Sequence, residues 1–262
     1  MPQTIELAKN LQRSDEATSA LQLSGVGVRY RLLTDRSRTL KGRLLSALSS
    51  QPAEAEFWAL RNVDLAVESG QVLGIVGANG SGKSTMLRVI SRIIEPAEGS
   101  VRTTGRVTPI LDLTSTLNPE FSGRDNAFLF GALHGVTRAL VEDWIPRIIE
   151  FTELGPFFDV PLKAYSSGMI ARLAFALSTQ LSPDILLLDE VLSVGDEQFQ
   201  RKSYFRVRKL IDKGNLVLIV SHNLAMLEQI CNRMILLGGG TIVADGTPAK
   251  VVAEYRRRVD RQ

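Results

Sequence analysis

Between Gly77 and Thr85 the chain reads Gly77-Ala78-Asn79-Gly80-Ser81-Gly82-Lys83-Ser84-Thr85, the G-x-x-x-x-G-K-[ST] spacing of a phosphate-binding loop. Each residue type has a job there. Gly77, Gly80 and Gly82 let the backbone curl until successive N–H groups point inward and form an anion nest. A helix starting near Lys83 adds the positive end of its dipole. Lys83 reaches the β- and γ-phosphates as a point charge, and the Ser84 hydroxyl is placed to ligate Mg²⁺. The pattern predicts binding of a nucleoside triphosphate.

Further along, Ile185-Leu186-Leu187-Leu188 is an apolar run that ends in Asp189-Glu190. A strand buried on both faces would deliver Asp189 to its C-terminal edge, beside the phosphate loop. There Asp189 can hold the Mg²⁺ shell, directly or through water, while Glu190 orients or deprotonates the attacking water. Alone, such a run is weak evidence; downstream of a complete phosphate loop it gains force. His222 follows the apolar run 216–220 and is expected at the same edge, where it can stabilise charge developing on the γ-phosphate. His134 reads as a solvated helix-end residue. At Tyr165-Ser166-Ser167-Gly168-Met169, a Ser/Gly cluster opens a helix. It is either a plain cap, with Ser hydroxyls accepting from free N–H groups, or an anion site of the same geometry. Spacing does not say whether it reaches its own chain's nucleotide.

These groups need a scaffold. Val72–Val76 is short and apolar enough for a buried parallel strand, and Met86–Ile93 follows with helical spacing. Leu21, Leu23, Val26 and Val28 alternate as a strand ending at Arg29-Tyr30-Arg31, and Phe57–Val67 resumes strand character. Glu95–Gly99 reads as a turn, with short strands around Ser100–Arg102 and Arg106–Leu111. Residues 120–182 are mainly helical, starting at Ser122-Gly123-Arg124-Asp125. Strand and helix then alternate through 185–188, 197–211, 215–220, 224–231 and 234–237. Gly238-Gly239-Gly240 turns the chain into Thr241–Ala244, and Pro248–Arg257 forms a last helix. Such alternation implies a mainly parallel sheet flanked by helices.

The 262 residues can bury a sizeable core, and 44% hydrophobic with 23% charged residues is ordinary for a globular chain. A net charge of +3 says little about partners. Its distribution says more: Arg29, Arg31, Arg36, Arg38, Lys41 and Arg43 cluster, as do Arg256, Arg257, Arg258 and Arg261. They are solvated faces, or sites for nucleic acid or lipid headgroups. The single cysteine, Cys231, excludes an internal disulfide and fits burial in a reducing compartment. Residues 1–20 lack the apolar core of a signal peptide, and no apolar run is long enough to span a bilayer. Any service to a membrane is expected from its cytoplasmic face.

Taken in order, Gly77–Thr85, Tyr165–Met169, Ile185–Glu190, Ser193-Val194-Gly195-Asp196 and His222 resemble the ATP-binding cassette ATPases over roughly residues 21–247. The resemblance implies an α/β P-loop NTPase with a mainly parallel sheet, an N-terminal antiparallel β part and an inserted α-helical subdomain at about 120–182. A polar arm (1–20) would precede the cassette, and a C-terminal helix and basic tail (248–262) would follow it. ATP and Mg²⁺ are the implied cofactors. Ser166, Ser167 and Gly168 would contact the γ-phosphate of ATP held by a second copy of the chain in a head-to-tail dimer. Ser193 and Asp196 would couple the two sites. The family also places an aromatic at the end of the first strand, which makes Tyr30 a stacking platform for adenine. Phe57 and Trp58 are alternatives, and a half-exposed strand-end tyrosine is the bland reading.

The Tyr-Ser-Ser-Gly-Met signature, Val194-Gly195-Asp196 and Phe57-Trp58-Ala59-Leu60 resemble the branch that exports bacterial polysaccharides: capsule, O-antigen, teichoic acid or cell-wall galactan. This implies a transmembrane permease partner, a glycan substrate passing through the complex and no nucleic acid. Some O-antigen members carry a carbohydrate-binding domain after the cassette, and a chain ending at 262 is expected to lack it. The usual glutamine before the helical subdomain is missing: alignment puts Leu113 there, beside Asp112. Residues 32–57 interrupt the cassette with Leu40, Leu44 and Leu48 on one helical stripe. That helix either approaches the membrane subunit or packs back on the cassette. The rival function is a soluble cassette protein that remodels nucleic acid or a protein complex. A phosphate-loop kinase would leave the Ser-Ser-Gly cluster unexplained.

Overall fold

The computed structural model describes residues 19–32, 55–110, 117–181, 183–189, 196–213 and 215–259. Along the chain these form β1 (Ser19–Leu32), β2 (Ala55–Glu68), β3 (Val72–Val76), α1 (Lys83–Ile90), β4 (Glu98–Thr103) and β5 (Val107–Ile110). Next come α2 (Gly123–Leu133), α3 (Arg138–Thr152), two 3₁₀ turns, and α4 (Ser167–Ser178). The last part is β6 (Ile185–Asp189), α5 (Glu197–Ile211), β7 (Leu216–Val220), α6 (Leu224–Ile230), β8 (Arg233–Gly238), β9 (Thr241–Gly246) and α7 (Pro248–Val259). Between 185 and 259, the elements expected from periodicity form within a few residues of their expected ends.

Two sheets organise these strands. A six-stranded sheet runs β5-β6-β7-β3-β8-β9, parallel through β8 with β9 antiparallel at its edge. Its central strands are buried end to end, which is why Val72–Val76 and Leu216–Val220 read as unbroken apolar runs rather than alternations. A three-stranded antiparallel sheet, ordered β2-β1-β4, supplies the N-terminal β part. One face of β3 and β7 joins α1 and this smaller sheet in a core that includes Leu73, Ile75, Met86 and Leu218. The opposite face packs on α5, α6 and α7 through Val207, Leu227, Val251 and Val252. The last helix therefore shares the core of the cassette.

The helical block, α2 to α4, has its own core around Phe130, Trp144, Phe158 and Leu173. Its entrance is knitted by Asn126, which is fully buried. The Asn126 side chain donates to the carbonyls of Asn118, Phe121 and Ser122 at 3.0, 3.1 and 2.9 Å and accepts from the Asn118 amide at 2.7 Å. A buried amide so fully partnered holds a loop where apolar packing alone would leave it free. Ser122 caps α2 by accepting from the Asp125 amide at 3.1 Å, as its sequence position predicts.

His134 departs from its expected solvation. It is half-buried, its ring lies 4.2 Å from that of Phe130, and Nδ1 sits 2.8 Å from the Phe130 carbonyl oxygen. Cys231 is buried as expected, and burial pushes its thiol pKa up to about 12. The Leu40–Leu48 stripe, Asp112, Leu113, Glu190 and Ser193 lie outside the described residues.

Candidate functional site

Strand β3 ends at Val76, β6 at Asp189 and β7 at Val220, and parallel pairing brings these strand ends to one edge of the sheet. That carboxyl edge is where open α/β sheets hold ligands. A cavity of about 310 Å³ opens there, lined by Asn79, Gly80, Gly82, Lys83, Ser84 and Thr85 from the loop, with Asp189, Val220 and His222 from the neighbouring strand ends. Tyr30, Phe57 and Ala59 close it from the antiparallel sheet.

The loop owes its shape to its glycines. Gly82 has φ +107° and precedes the first residue of α1; a Cβ there would come within 2.6 Å of the Ala59 carbonyl oxygen. Lys83 is buried, and its ammonium donates to the Gly77 and Ala78 carbonyls at 2.8 and 3.0 Å. The charge is thus drawn back over the loop that it would share with a phosphate. Ser81 faces inward, its Oγ buried with no hydrogen-bond partner among the described residues. Gly77 and Ala78 shape the turn but do not line the cavity.

The donor set suits a Mg²⁺–triphosphate pair. The exposed Ser84 hydroxyl and the half-buried Asp189 carboxylate line the same cavity as the lysine. Among the described residues no group of three or more His, Cys, Asp or Glu could hold a metal alone. A small cation here would therefore need phosphate oxygens and water to complete its shell, which is how Mg²⁺ is usually bound.

Trp58, weighed as a stacking platform, is excluded by strand geometry. In the β1–β2 ladder Tyr30 pairs with Phe57 and Arg29 with Trp58, and successive strand residues point to opposite faces. Tyr30 and Phe57 line the cavity, whereas the Trp58 ring lies between the Arg29 and Arg61 guanidiniums at 5.6 and 5.5 Å. Arg29 and Arg31 of the first basic cluster also pair with Glu56, at 3.0 and 3.9 Å.

Ser166, Ser167 and Gly168 do not line the cavity of their own chain. Ser166 caps α4, accepting from the Met169 amide at 3.3 Å. Tyr165 ahead of it is buried, its hydroxyl donating to the Phe157 carbonyl at 2.6 Å, and burial raises its pKa to about 12. Asp196 caps α5, accepting from the Phe199 amide at 2.8 Å.

Gly240 is a contributor that sequence reading treats as a mere turn. Its amide donates to the Ser81 carbonyl at 3.2 Å and its own carbonyl accepts from the Arg61 amide at 2.9 Å. The β8–β9 turn thus clamps the phosphate loop to β2. The Gly238-Gly239-Gly240 run was the available signal, since three glycines exceed what a hairpin turn requires.

Comparison with known proteins agrees with this geometry. Residues 60–193 match the model of the ABC transporter family. The chain is 39% identical over 249 residues to the O-antigen export system ATP-binding protein RfbB of Myxococcus xanthus, covering 93% of this chain and 57% of that one. It is 38% identical over 231 residues to the teichoic acids export ATP-binding protein TagH of Lactococcus lactis, covering 88% and 49%. The chain thus spans about half the length of these two relatives. In fold it is similar to the ATP-binding cassette MJ0796, seen as a dimer in a post-hydrolysis state with ADP and Pi, at a TM-score of 0.71 and 21% identity over 87% of this chain and 98% of that one. With a family match over half its length and a phosphate loop, Asp189 and His222 gathered at one sheet edge, this chain belongs to the ABC transporter family.

Proposed function

We propose that this chain is the ATP-hydrolysing subunit of an exporter that moves a polysaccharide or lipid-linked glycan across the cytoplasmic membrane. The observation that carries the ATPase part is the cavity where Lys83, Ser84, Asp189 and His222 meet. Kinship to both an O-antigen and a teichoic acid export protein supports the glycan, since both export systems are named for surface polymers.

In this reading the loop amides and Lys83 hold the β- and γ-phosphates, with Lys83 exchanging the Gly77 and Ala78 carbonyls for phosphate oxygens. Tyr30 stacks on the adenine. Ser84 and Asp189 would hold Mg²⁺, which would supply charge neutralisation at the transferring phosphate. Glu190 activates the attacking water, and His222 stabilises charge that develops on the γ-phosphate. The Ser166–Gly168 cluster, which does not line its own chain's cavity, meets in this reading the γ-phosphate held by a second copy. Ser193 and Asp196 couple the two sites. A transmembrane permease subunit carries the glycan and holds this chain at the cytoplasmic face of the membrane; among the described residues no helix is long and apolar enough to cross one.

The test has two arms. Purified protein should hydrolyse ATP with a requirement for Mg²⁺ and a rate that rises steeply with protein concentration, as a dimeric site demands. Cells carrying Glu190→Gln should stop exporting a surface glycan. Normal surface glycan with a dead ATPase would overturn the export reading and leave the ATPase standing.

A further inference from the structure

At the opposite edge of the main sheet lies a second, larger cavity, of about 520 Å³. Arg106 immediately precedes β5, Leu181 lies ahead of β6 and Lys213 ahead of β7, so this is the amino edge, away from the nucleotide loop. Five cationic side chains line it: Arg106, Arg147, Arg206, Lys209 and Lys213. They come from the start of β5, from α3 in the helical block, and from α5 and the residues just after it. None of its lining residues is an Asp or Glu.

Three nearby carboxylates have partners of their own. Asp184 accepts from the Arg106 backbone amide at 2.7 Å, Asp212 pairs with Arg208 at 3.6 Å, and Glu153 pairs with Lys202. Glu150 lies in an adjoining groove that shares Arg147, Arg206 and Lys209. Among the described residues, no ion pair engages Arg147, Arg206, Lys209 or Lys213. Arg206 is half-buried over the Phe151 ring, 5.6 Å from its centroid. Its guanidinium is pushed to lower pKa first by burial and then by the neighbouring charge of Arg147. Gln180 lines the same cavity, and its Nε2 is buried without a hydrogen-bond partner among the described residues.

Two guanidiniums that line one cavity from α3 and α5, with amines beside them and no carboxylate in the lining, make an arrangement that an anion would neutralise. Guanidinium forks match phosphate oxygens in pairs. The volume suits a small molecule. We propose that this amino-edge cavity binds a multiply charged phosphate group, and that binding ties the helical block to the sheet by bridging Arg147 and Arg206.

The chain carries its own reporter. It has two tryptophans, and Trp58→Phe leaves only Trp144, which lines this cavity. Adding Lys83→Ala to that variant removes phosphate affinity at the nucleotide loop. Inorganic tripolyphosphate should then change Trp144 emission saturably and raise the melting temperature. Arg206→Gln should weaken that response by about tenfold or more. Lys209→Gln combined with Lys213→Gln alters exposed side chains only, and keeps the test open if Arg206→Gln folds poorly. In the otherwise native chain Arg206→Gln should leave Mg²⁺-dependent ATP hydrolysis unchanged, which separates this site from the nucleotide site. A response to phosphatidic acid vesicles that the same variants abolish would support a lipid headgroup as the phosphate source; a response to tripolyphosphate alone supports a free phosphate. An emission change that never saturates, that matched KCl reproduces, or that survives in the variants would overturn the proposal. Binding of poly-glutamate without either phosphate probe would overturn it too.

Discussion

The Arg172 guanidinium donates to the Asp196 carboxylate at 2.5 Å, tying the helix that opens on the Ser166–Gly168 cluster to the residue that caps α5. Arg172 also lies over the Phe199 ring, 5.0 Å from its centroid, and approaches Glu153 at 3.9 Å. Asp196 is 61% exposed, so solvent screens the pair and its direct contribution to stability is small. What it sets is the relative orientation of two segments proposed to meet across a dimer.

Asp196 can be separated into cap and charge. Its carboxyl is held below the usual carboxylate range chiefly by the Phe199 amide; desolvation opposes this, and the charge and hydrogen bond of Arg172 add to the lowering. A depressed folded-state pKa gives stability that is present above the unfolded value of about 3.9 and is lost as pH falls through the folded value. Asp196→Asn should keep the cap, remove this acid-limb contribution and loosen α4 from α5. Asp196→Ala should lose the cap as well and melt lower at neutral pH. Melting curves between neutral pH and the acid limit would show it; identical curves for all three proteins would refute the assignment.

Gly240→Ala should damage nucleotide binding from outside the phosphate loop. Its φ is +79°, and an added Cβ would stand 2.8 Å from the Ala59 carbonyl oxygen. Left-handed strain costs about 1–2 kcal/mol before that clash is counted. Relief must shift the turn that holds the Ser81 carbonyl, so ATP affinity should fall together with stability. Gly239→Ala is the control: φ is +57° but a Cβ there meets nothing within 4 Å. It should show the strain alone, with ATP affinity unchanged in a direct titration.

Glu190→Gln should leave ATP binding intact while hydrolysis falls by on the order of 10²–10⁴-fold, the contribution of a general base. An ATP-bound dimer should accumulate in light scattering, because closure remains allowed and release is blocked. Lys83→Ala should lose phosphate affinity and form no such dimer. Equal ATP binding together with equal turnover by the two variants would show the roles to be misassigned.

Tyr30→Ala should weaken ATP binding by about 1–3 kcal/mol, the worth of stacking a base on an aromatic ring. Trp58→Ala should leave affinity unchanged, since that ring sits between two arginines on the other face of β2. A loss with Phe57→Ala and none with Tyr30→Ala would move the platform across the strand pair.

The chemistry of the loop was legible in the residues from 77 to 85 because a phosphate nest is built from one continuous stretch of backbone. Strands such as Leu216–Val220 were legible for a related reason: burial on both faces writes itself as an unbroken apolar run. Asp189 and His222 could be placed at the loop because each follows such a strand, and parallel strands present their ends at one edge. Tertiary structure decided the rest. Trp58 was separated from Phe57 by the β1–β2 register, which depends on pairing residues far apart in the chain. Gly240 meets Ala59 and Ser81 although more than half the chain separates it from them, and Arg172 reaches Asp196 from one helix to the start of the next. Arg147 and Arg206 come to line one cavity for the same reason. Local sequence sets what a segment prefers to be; only the packing of whole elements decides which side chains share a space.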